Sequence, residues 1–111
     1  MSKNKILLAG ATGYLGKFIT QELIKKRYEV KVVVRNKGTI NLDGQNLTVL
    51  EAQVTQPETL RGICKNIDIV ISTIGITRQK DGLTYIDVDF QANVHLIDEA
   101  KKRGVKLFIY I

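Results

Sequence analysis

The chain has 111 residues, of which 44% are hydrophobic and 25% charged, and this is enough for one folded domain with its own core. No apolar run approaches the roughly 20 residues of a membrane-spanning helix. The run Ile6 to Ala9 is also too short for a signal-peptide core, so we expect a cytoplasmic protein that does not enter a membrane. The net charge of +6 makes nucleic acid a partner to consider.

The positions of the basic residues argue against nucleic acid. They cluster at 25–27 and 101–103, each in the last turn of a predicted helix, where cations offset the helix dipole. No aromatic platform, helix-turn-helix or zinc-finger spacing accompanies them, so nucleic-acid binding is a minor alternative. The single cysteine, Cys64, lies in a predicted helical stretch without a thiol or histidine at motif spacing, which predicts a buried apolar role.

Strand and helix patterns alternate along the chain. Strands are predicted over residues 5–9, 29–34, 47–50, 67–72 and 105–111. Helices are predicted over 14–27 and 85–103. A further short helix is predicted from about Thr55 onward, because Thr55-Gln56-Pro57-Glu58 has capping-box spacing. Residues 75–82 read as a polar loop, and Gly104 is expected to end the last helix.

Two of the predicted helices carry an apolar stripe. The stripe of the first helix consists of Leu15, Phe18, Ile19, Leu23 and Ile24. The stripe of the last helix consists of Ile86, Phe90, Val94, Ile97 and Ala100. Strands that alternate with such helices predict an α/β fold, a Rossmann-type doubly wound parallel sheet of five strands in the order 3-2-1-4-5. A ligand is expected at the carboxyl ends of strands 1 and 4, where the winding reverses.

A glycine-rich turn lies between the first strand and the first helix, at Gly10-Ala11-Thr12-Gly13-Tyr14-Leu15-Gly16. A helix N-terminus with free N–H groups stabilises a pyrophosphate, and the glycines suit that task. Gly10 allows a tight exit from the strand, Gly13 lets phosphates approach the backbone, and Gly16 lets the helix pack on the sheet. The turn therefore predicts dinucleotide binding ahead of a simple structural turn.

The residue after the second strand bears on the choice of dinucleotide. NAD-binding domains usually place a carboxylate there for the ribose 2′-hydroxyl, whereas this chain has Arg35. A guanidinium can pair with a 2′-phosphate through two parallel hydrogen bonds. We therefore favour NADP(H) over NAD(H), the alternative being an exposed loop arginine.

The chain resembles the N-terminal NAD(P)-binding part of extended and atypical short-chain dehydrogenases/reductases, in particular NmrA-like proteins. The resemblance rests on the spacing Gly-x-x-Gly-x-x-Gly and on the sequence segments 30–36, 68–75, 88–100 and 104–111. The resemblance implies that Gly10, Thr12, Gly13, Tyr14, Leu15 and Gly16 cradle the pyrophosphate. It further implies that Gln53 and Val54 border adenine, and that Thr73, Ile74 and Gly75 face the nicotinamide-side ribose.

Some positions depart from that family pattern. The family commonly has Gly-Asp after the third strand, where this chain has Ala52-Gln53. The Gln53 amide still offers a donor and an acceptor to adenine, the equal alternative being a surface glutamine before a helix. Asp89 stands where the family often has asparagine, and its place near a helix start is better explained by the dipole than by catalysis. Asn93 lies on or beside the apolar stripe, where a hydrogen bond to the backbone could hold it.

No catalytic group is identified in the chain. Reductases of this superfamily use a tyrosine and a lysine four residues later for proton transfer, and none of Tyr14, Tyr28, Tyr85 and Tyr110 has that partner. No metal-ligand cluster is present in the sequence either. Because the sequence stops inside the predicted fifth strand, we expect 1–111 to be the cofactor-binding part of a longer oxidoreductase or epimerase relative, inactive alone and open to self-association. The alternative is a non-catalytic NmrA-like NADP(H) sensor that acts through a protein partner.

Overall fold

The computed structural model describes residues 4–11, 13–34, 44, 46–53, 56–74 and 85–111, with the side chains of 85–90 left aside. The strands are β1 (Lys5–Ala9), β2 (Glu29–Val34), β3 (Leu47–Glu51), β4 (Ile69–Ser72) and β5 (Leu107–Tyr110). The helices are α1 (Tyr14–Lys25), a 3-10 helix (Pro57–Leu60) and α2 (Tyr85–Lys102). None of the described helices is long and apolar enough to span a membrane.

The five strands form one parallel sheet in the order β3-β2-β1-β4-β5, which confirms the predicted topology. β1 is central, and its last residue, Ala9, pairs with Val33 of β2 on one side and Ser72 of β4 on the other. The chain reverses its winding between β1 and β4. A crevice at this point of such a sheet is where ligands bind in open α/β folds.

The central strand is buried on both faces, as its unbroken apolar run predicts. Leu7 and Ala9 lie in one core cluster with Leu60 of the 3-10 helix and with α2. Ile6 and Leu8 lie in the other, on the α1 side of the sheet. Full burial of each such leucine or isoleucine contributes about 1.5–3 kcal/mol, so the paired clusters fix β1 between two helical layers.

The contact face of α1 differs from the predicted stripe. Gly16 and Thr20 are buried at its centre, while Leu15 and Phe18 are 43% and 54% exposed. Ile19, Leu23 and Ile24 pack against the core, as expected. The prediction was wrong for Leu15 and Phe18 because α1 approaches the sheet along its small residues, and counting large apolar side chains does not show this.

The contact face of α2 is rotated in the same way. Its buried positions are Ala92, Leu96, Glu99 and Ala100, whereas Val94 and Ile97 of the predicted stripe are only half-buried. Alanines at positions 92 and 100 allow close approach to the sheet, and the prediction overlooked the first of them. The helix ends at Lys102, and Gly104 follows with φ +71°, as expected for a helix-terminating glycine.

Cys64 lies in a run of turns over residues 61–66 and not in a helix, which corrects the prediction for this segment. Its thiol is fully buried, as predicted. Burial, and then the nearby Glu99 carboxylate, raise the pKa of the Cys64 thiol to about 11, against a smaller lowering by Arg103. The expected capping residue Thr55 and the expected loop at 75–82 lie outside the described residues.

Candidate functional site

The glycine turn begins at Gly10, directly after β1. Gly10 has φ +93°, a left-handed conformation that side chains other than glycine rarely adopt. Its carbonyl oxygen accepts a hydrogen bond of 3.2 Å from the Gly13 N–H, which closes the turn. A Cβ at Gly10 would also overlap the Thr73 hydroxyl oxygen. The turn is therefore built against the end of β4 and needs glycine here.

Gly16 is required by packing. A Cβ at this position would overlap the Gly10 carbonyl oxygen, and would lie 2.7 Å from the carbonyl carbon and 2.9 Å from the Thr73 hydroxyl oxygen. These neighbours are mostly backbone, which cannot move aside cheaply. Gly16 thus lets the first turn of α1 lie directly on the glycine turn.

Gly13 is different, because no contact with another described residue demands a glycine. Its φ of −76° and ψ of 167° are open to any residue, and among the described residues a Cβ would contact the Gly10 carbonyl oxygen, at an ordinary 3.6 Å. The glycine leaves a cradle that a Cβ would fill. Its own N–H is used inside the turn, so Gly13 contributes open space rather than a donor.

The N-terminus of α1 supplies donors beside that cradle. The Lys17 N–H makes a bond of 2.9 Å to the Gly13 carbonyl oxygen, and the N–H groups of Tyr14, Leu15 and Gly16 precede it in the first turn, where helix donors lack acceptors within the helix. Gly13 has no side chain to cap them, and the first turn holds no acidic residue. The positive end of the helix dipole is therefore not offset by a carboxylate of that turn, which suits a phosphate. The Tyr14 side chain is 91% exposed at this end.

The end of β4 is joined to the glycine turn by Thr73. Its hydroxyl lies 3.2 Å from the Ala9 carbonyl oxygen and 3.1 Å from that of Gly10, and it can donate its one proton to either. The Thr73 N–H also donates to the Ala9 carbonyl oxygen, at 2.9 Å. The hydroxyl of this predicted site residue is therefore engaged in holding the turn.

Ser72 and Asn93 form a clamp of hydrogen bonds that holds the backbone of Ile74, just beyond β4. The Ser72 hydroxyl donates to the Asn93 side-chain oxygen at 2.6 Å, and the Asn93 amide donates to the Ile74 carbonyl oxygen at 3.2 Å. The Ile74 N–H in turn donates to the Ser72 hydroxyl oxygen at 3.3 Å. The expected hydrogen bond from Asn93 to the backbone is confirmed. Ser72 was not predicted as a partner, and only its polarity at the end of an apolar strand could have indicated it.

Gln53 lies two residues beyond β3, at the same edge of the sheet, and is exposed. The Ala52 N–H donates to the Val34 carbonyl oxygen at 3.0 Å, which keeps the chain in step with β2 as far as Gln53. Thr59, which the sequence did not single out, holds the backbone of Gln53 through its hydroxyl. The remaining predicted site residues, Thr12, Arg35, Val54 and Gly75, lie outside the described residues.

The carboxyl edge of the sheet thus brings together the Gly10–Gly16 turn, the end of β4 at 72–74 and the end of β3 at Gln53. A cavity of about 250 Å³ lies at the opposite edge, among residues that include Lys5, Lys31, Asn46 and Thr48. That cavity adjoins neither the turn nor the end of β4. The carboxyl edge is the better candidate, because an uncapped helix N-terminus and an open glycine position meet there in the described part of the chain.

Comparison with known proteins identifies the family of the chain. The profile of a family described as NAD(P)H-binding matches residues 10–111. The Photosystem II assembly factor Ycf39 of Synechocystis is 32% identical over 107 residues, which cover 96% of this chain and 32% of that protein. Eugenol synthase 2 of Clarkia breweri is 36% identical over 89 residues, which cover 72% of this chain and 29% of that protein.

A solved structure shows the same likeness. The crystal structure of a candidate epimerase from Bacteroides thetaiotaomicron matches 96% of this chain and 46% of its own, at 30% identity and a TM-score of 0.79. The chain spans about a third of the length of the curated relatives that it matches. The sheet topology, the glycine turn and the similar proteins all indicate the same family. The chain belongs to the NAD(P)H-binding family, as an NAD(P)-binding Rossmann domain of the NmrA-like short-chain dehydrogenase/reductase kind.

Proposed function

We propose that this domain holds NADP(H) with its pyrophosphate on the N-terminus of α1, against Gly13. The observation that carries the proposal is the open position at Gly13: packing explains the glycines at 10 and 16, but nothing among the described residues explains the one at 13. A phosphate lying where a Cβ would project does explain it. The N–H groups of Tyr14 and Leu15 then donate to the phosphate oxygens.

The other site residues are proposed from their positions in the sequence, next to the carboxyl ends of β1, β3 and β4. Gln53, with Val54, borders the adenine, and the segment from Thr73 to Gly75 borders the ribose on the nicotinamide side. Thr12 and Gly16 complete the turn. When bound, the dinucleotide would supply a nicotinamide ring able to give or accept a hydride. The residues named above would bind and orient the dinucleotide, and the proposal assigns none of them a proton-transfer role.

The preference for NADP(H) over NAD(H) rests on Arg35. The residue directly follows β2 in the sequence, and the carboxyl end of β2 lies beside that of β1. A guanidinium there pairs with the doubly charged 2′-phosphate and gains nothing comparable from a 2′-hydroxyl. Replacement of Arg35 by alanine is expected to remove the difference between the two dinucleotides. An Arg35→Ala chain that keeps its preference for NADPH would contradict the assignment.

Thermal unfolding with NADPH, with NADH and without nucleotide tests the binding site. Ligand at one hundred times its Kd stabilises the folded state by about 2.7 kcal/mol, which raises the Tm of a domain of this size by about 10 °C. Gly13→Ala is the matched variant, since its Cβ disturbs no contact among the residues that the structure describes, and it is expected to lose most of that rise. No shift with either nucleotide would refute the proposed function.

A reaction of the whole protein needs more than this domain supplies. We infer that residues 1–111 form the dinucleotide-binding part, and that substrate recognition and a catalytic tyrosine–lysine pair belong to a further segment. The support is the length of the relatives, which are about three times as long as this chain. The domain alone is then a binding module without oxidoreductase or epimerase turnover, which an assay of NADPH oxidation with and without such a segment can test.

A second candidate function is a sensor that reads NADP(H) and acts through a protein partner. The observation in its favour is that one relative matching 96% of this chain is named an assembly factor and not an enzyme. Binding of a partner that changes with NADPH concentration, in a protein without turnover, would favour this candidate over the reductase.

Self-association and a cytoplasmic location complete the proposal. β5 is an edge strand on which Leu107, Tyr110 and Ile111 are about half exposed, and such an edge can pair with the β5 of a second copy. Sedimentation over a range of concentrations tests this, and a monomer at all of them would contradict it. The free, buried thiol of Cys64 is compatible with the reducing cytoplasm.

A further inference from the structure

Thr59 stands at the centre of a small hydrogen-bonded ring that closes the chain after β3. Its hydroxyl oxygen accepts from the Gln53 N–H at 3.0 Å. Its single proton is shared between the carbonyl oxygens of Gln53 at 2.8 Å and Gln56 at 2.7 Å. The Gln56 N–H also donates to the Gln53 carbonyl oxygen at 2.8 Å, and the Thr59 N–H to that of Gln56 at 3.0 Å.

The ring connects Gln53 to a fixed part of the core. Thr59 lies in the 3-10 helix, whose next residue, Leu60, is fully buried in the cluster on the α2 side of the sheet. On its other side, Gln53 follows Ala52, whose N–H is bonded to the end of β2. Gln53 is thus held from both directions at the carboxyl edge, although it is itself exposed.

The ring also decides which group Gln53 can present. Its backbone N–H and carbonyl are both engaged with Thr59, so the group left to meet a ligand is the side-chain amide. An amide offers a donor and an acceptor side by side, and glutamine pairs in this way with the N6 amino group and a ring nitrogen of adenine. The chemistry at this point of the edge therefore matches an adenine base.

We propose that Thr59 is a positioning residue for adenine recognition, acting through Gln53. The inference rests on the proposed function, and it adds a residue that touches no part of the dinucleotide. Without the hydroxyl, the Gln53 N–H loses its acceptor and the Gln53 carbonyl keeps the Gln56 N–H as a donor, so Gln53 is held less firmly and part of its ordering must be supplied by the binding event. The cost falls on affinity more than on stability, because the freed N–H lies in an exposed segment and can bond to water.

The test is a set of single variants titrated with NADPH and with NADH. Thr59→Val keeps the shape and removes the hydroxyl, and it is expected to weaken binding of the tighter dinucleotide about fivefold. Thr59→Ser keeps the hydroxyl and is expected to bind like the unmodified chain. Thr48→Val is the matched control: it makes the same change at an exposed position of β3, beside the cavity at the opposite edge, and is expected to leave affinity unchanged.

A double-mutant cycle decides whether Thr59 acts through Gln53. In a Gln53→Ala background, Thr59→Val is expected to change affinity by less than about twofold, because the amide that it positions is gone. The same fivefold loss in both backgrounds would overturn the inference, as would unchanged affinity of Thr59→Val, weak binding by Thr59→Ser, or an equal loss in Thr48→Val. If the unmodified chain binds neither dinucleotide, the proposed function itself fails; if it binds and ignores Thr59→Val, only this inference fails.

Discussion

Replacement of Gly16 by alanine tests the close packing of the glycine turn. The added Cβ would overlap the Gly10 carbonyl oxygen and would lie 2.7 Å from the carbonyl carbon and 2.9 Å from the Thr73 hydroxyl oxygen. Overpacking of this kind costs about 1–3 kcal/mol, and the upper part of that range applies because the obstacle is backbone. Alanine also gains about 1 kcal/mol over glycine inside a helix. The net expectation is a loss of about 2 kcal/mol.

The measurement is the Tm, or the urea midpoint, of the chain without nucleotide. A loss of about 2 kcal/mol lowers the Tm of a domain of this size by about 8 °C. Gly13→Ala is the internal comparison, since its Cβ meets one atom at an ordinary 3.6 Å. Its cost is expected to stay below about 1 kcal/mol, the difference between glycine and alanine at a helix N-cap.

The two variants should therefore separate packing from binding. Gly16→Ala is expected to lose stability, whereas Gly13→Ala is expected to keep most of its stability and to lose dinucleotide affinity. A Gly16→Ala chain as stable as the unmodified one would refute the packing argument. A Gly13→Ala chain that unfolds as readily as Gly16→Ala would show that the position at 13 is not open, and would remove the main support for the phosphate cradle.

Three further changes probe contacts away from the turn. Asn93→Leu should lower the free energy of unfolding by about 1–3 kcal/mol, because the buried Ser72 hydroxyl loses its acceptor; urea unfolding measures this, and an equal stability would contradict the clamp. The pKa of Cys64 is raised from 9.0 to about 11, so its thiol should react with a thiol reagent at pH 8 at least about a hundredfold more slowly in the native than in the unfolded chain. The contribution of this protonated thiol to the free energy of unfolding should be lost as pH rises from about 9 through 11. Glu99→Ala should lower the free energy of unfolding by about 1–3 kcal/mol, because the buried Glu99 carboxylate accepts a hydrogen bond from the Gly62 N–H. Lys102→Ala removes an exposed ammonium group 4.0 Å from the same carboxylate and should lower it by less than about 0.5 kcal/mol in the same measurement.

Much of the fold could be predicted because local patterns and the global architecture agree. The bounds of β1 and β2 match the predicted ones, since both are short segments rich in aliphatic residues, which are typical of strands in a parallel sheet. The sheet order follows from alternation and from the handedness of parallel crossovers, without knowledge of any side-chain contact.

The helix faces could not be predicted from the same patterns. Leu15 and Phe18 are exposed although the stripe assigned them to the core, because the line of closest approach passes through Gly16 and Thr20. The Thr20 hydroxyl donates to the Gly16 carbonyl oxygen at 2.7 Å, so a polar residue is buried there without an unsatisfied group. Hydrophobicity alone does not record how near two backbones come.

By itself, the sequence determined the kind of domain and predicted the place of its site. The order of strand, glycine turn and helix predicts a phosphate-binding helix N-terminus, because a helix start leaves backbone donors free and glycines permit close approach. Only the tertiary structure showed which atoms crowd Gly10 and Gly16, and joined Ser72 to Asn93 and Thr73 to the glycine turn. The last two contacts depend on distances between elements 21 and more residues apart, and such distances are set by how the helices and the sheet pack together.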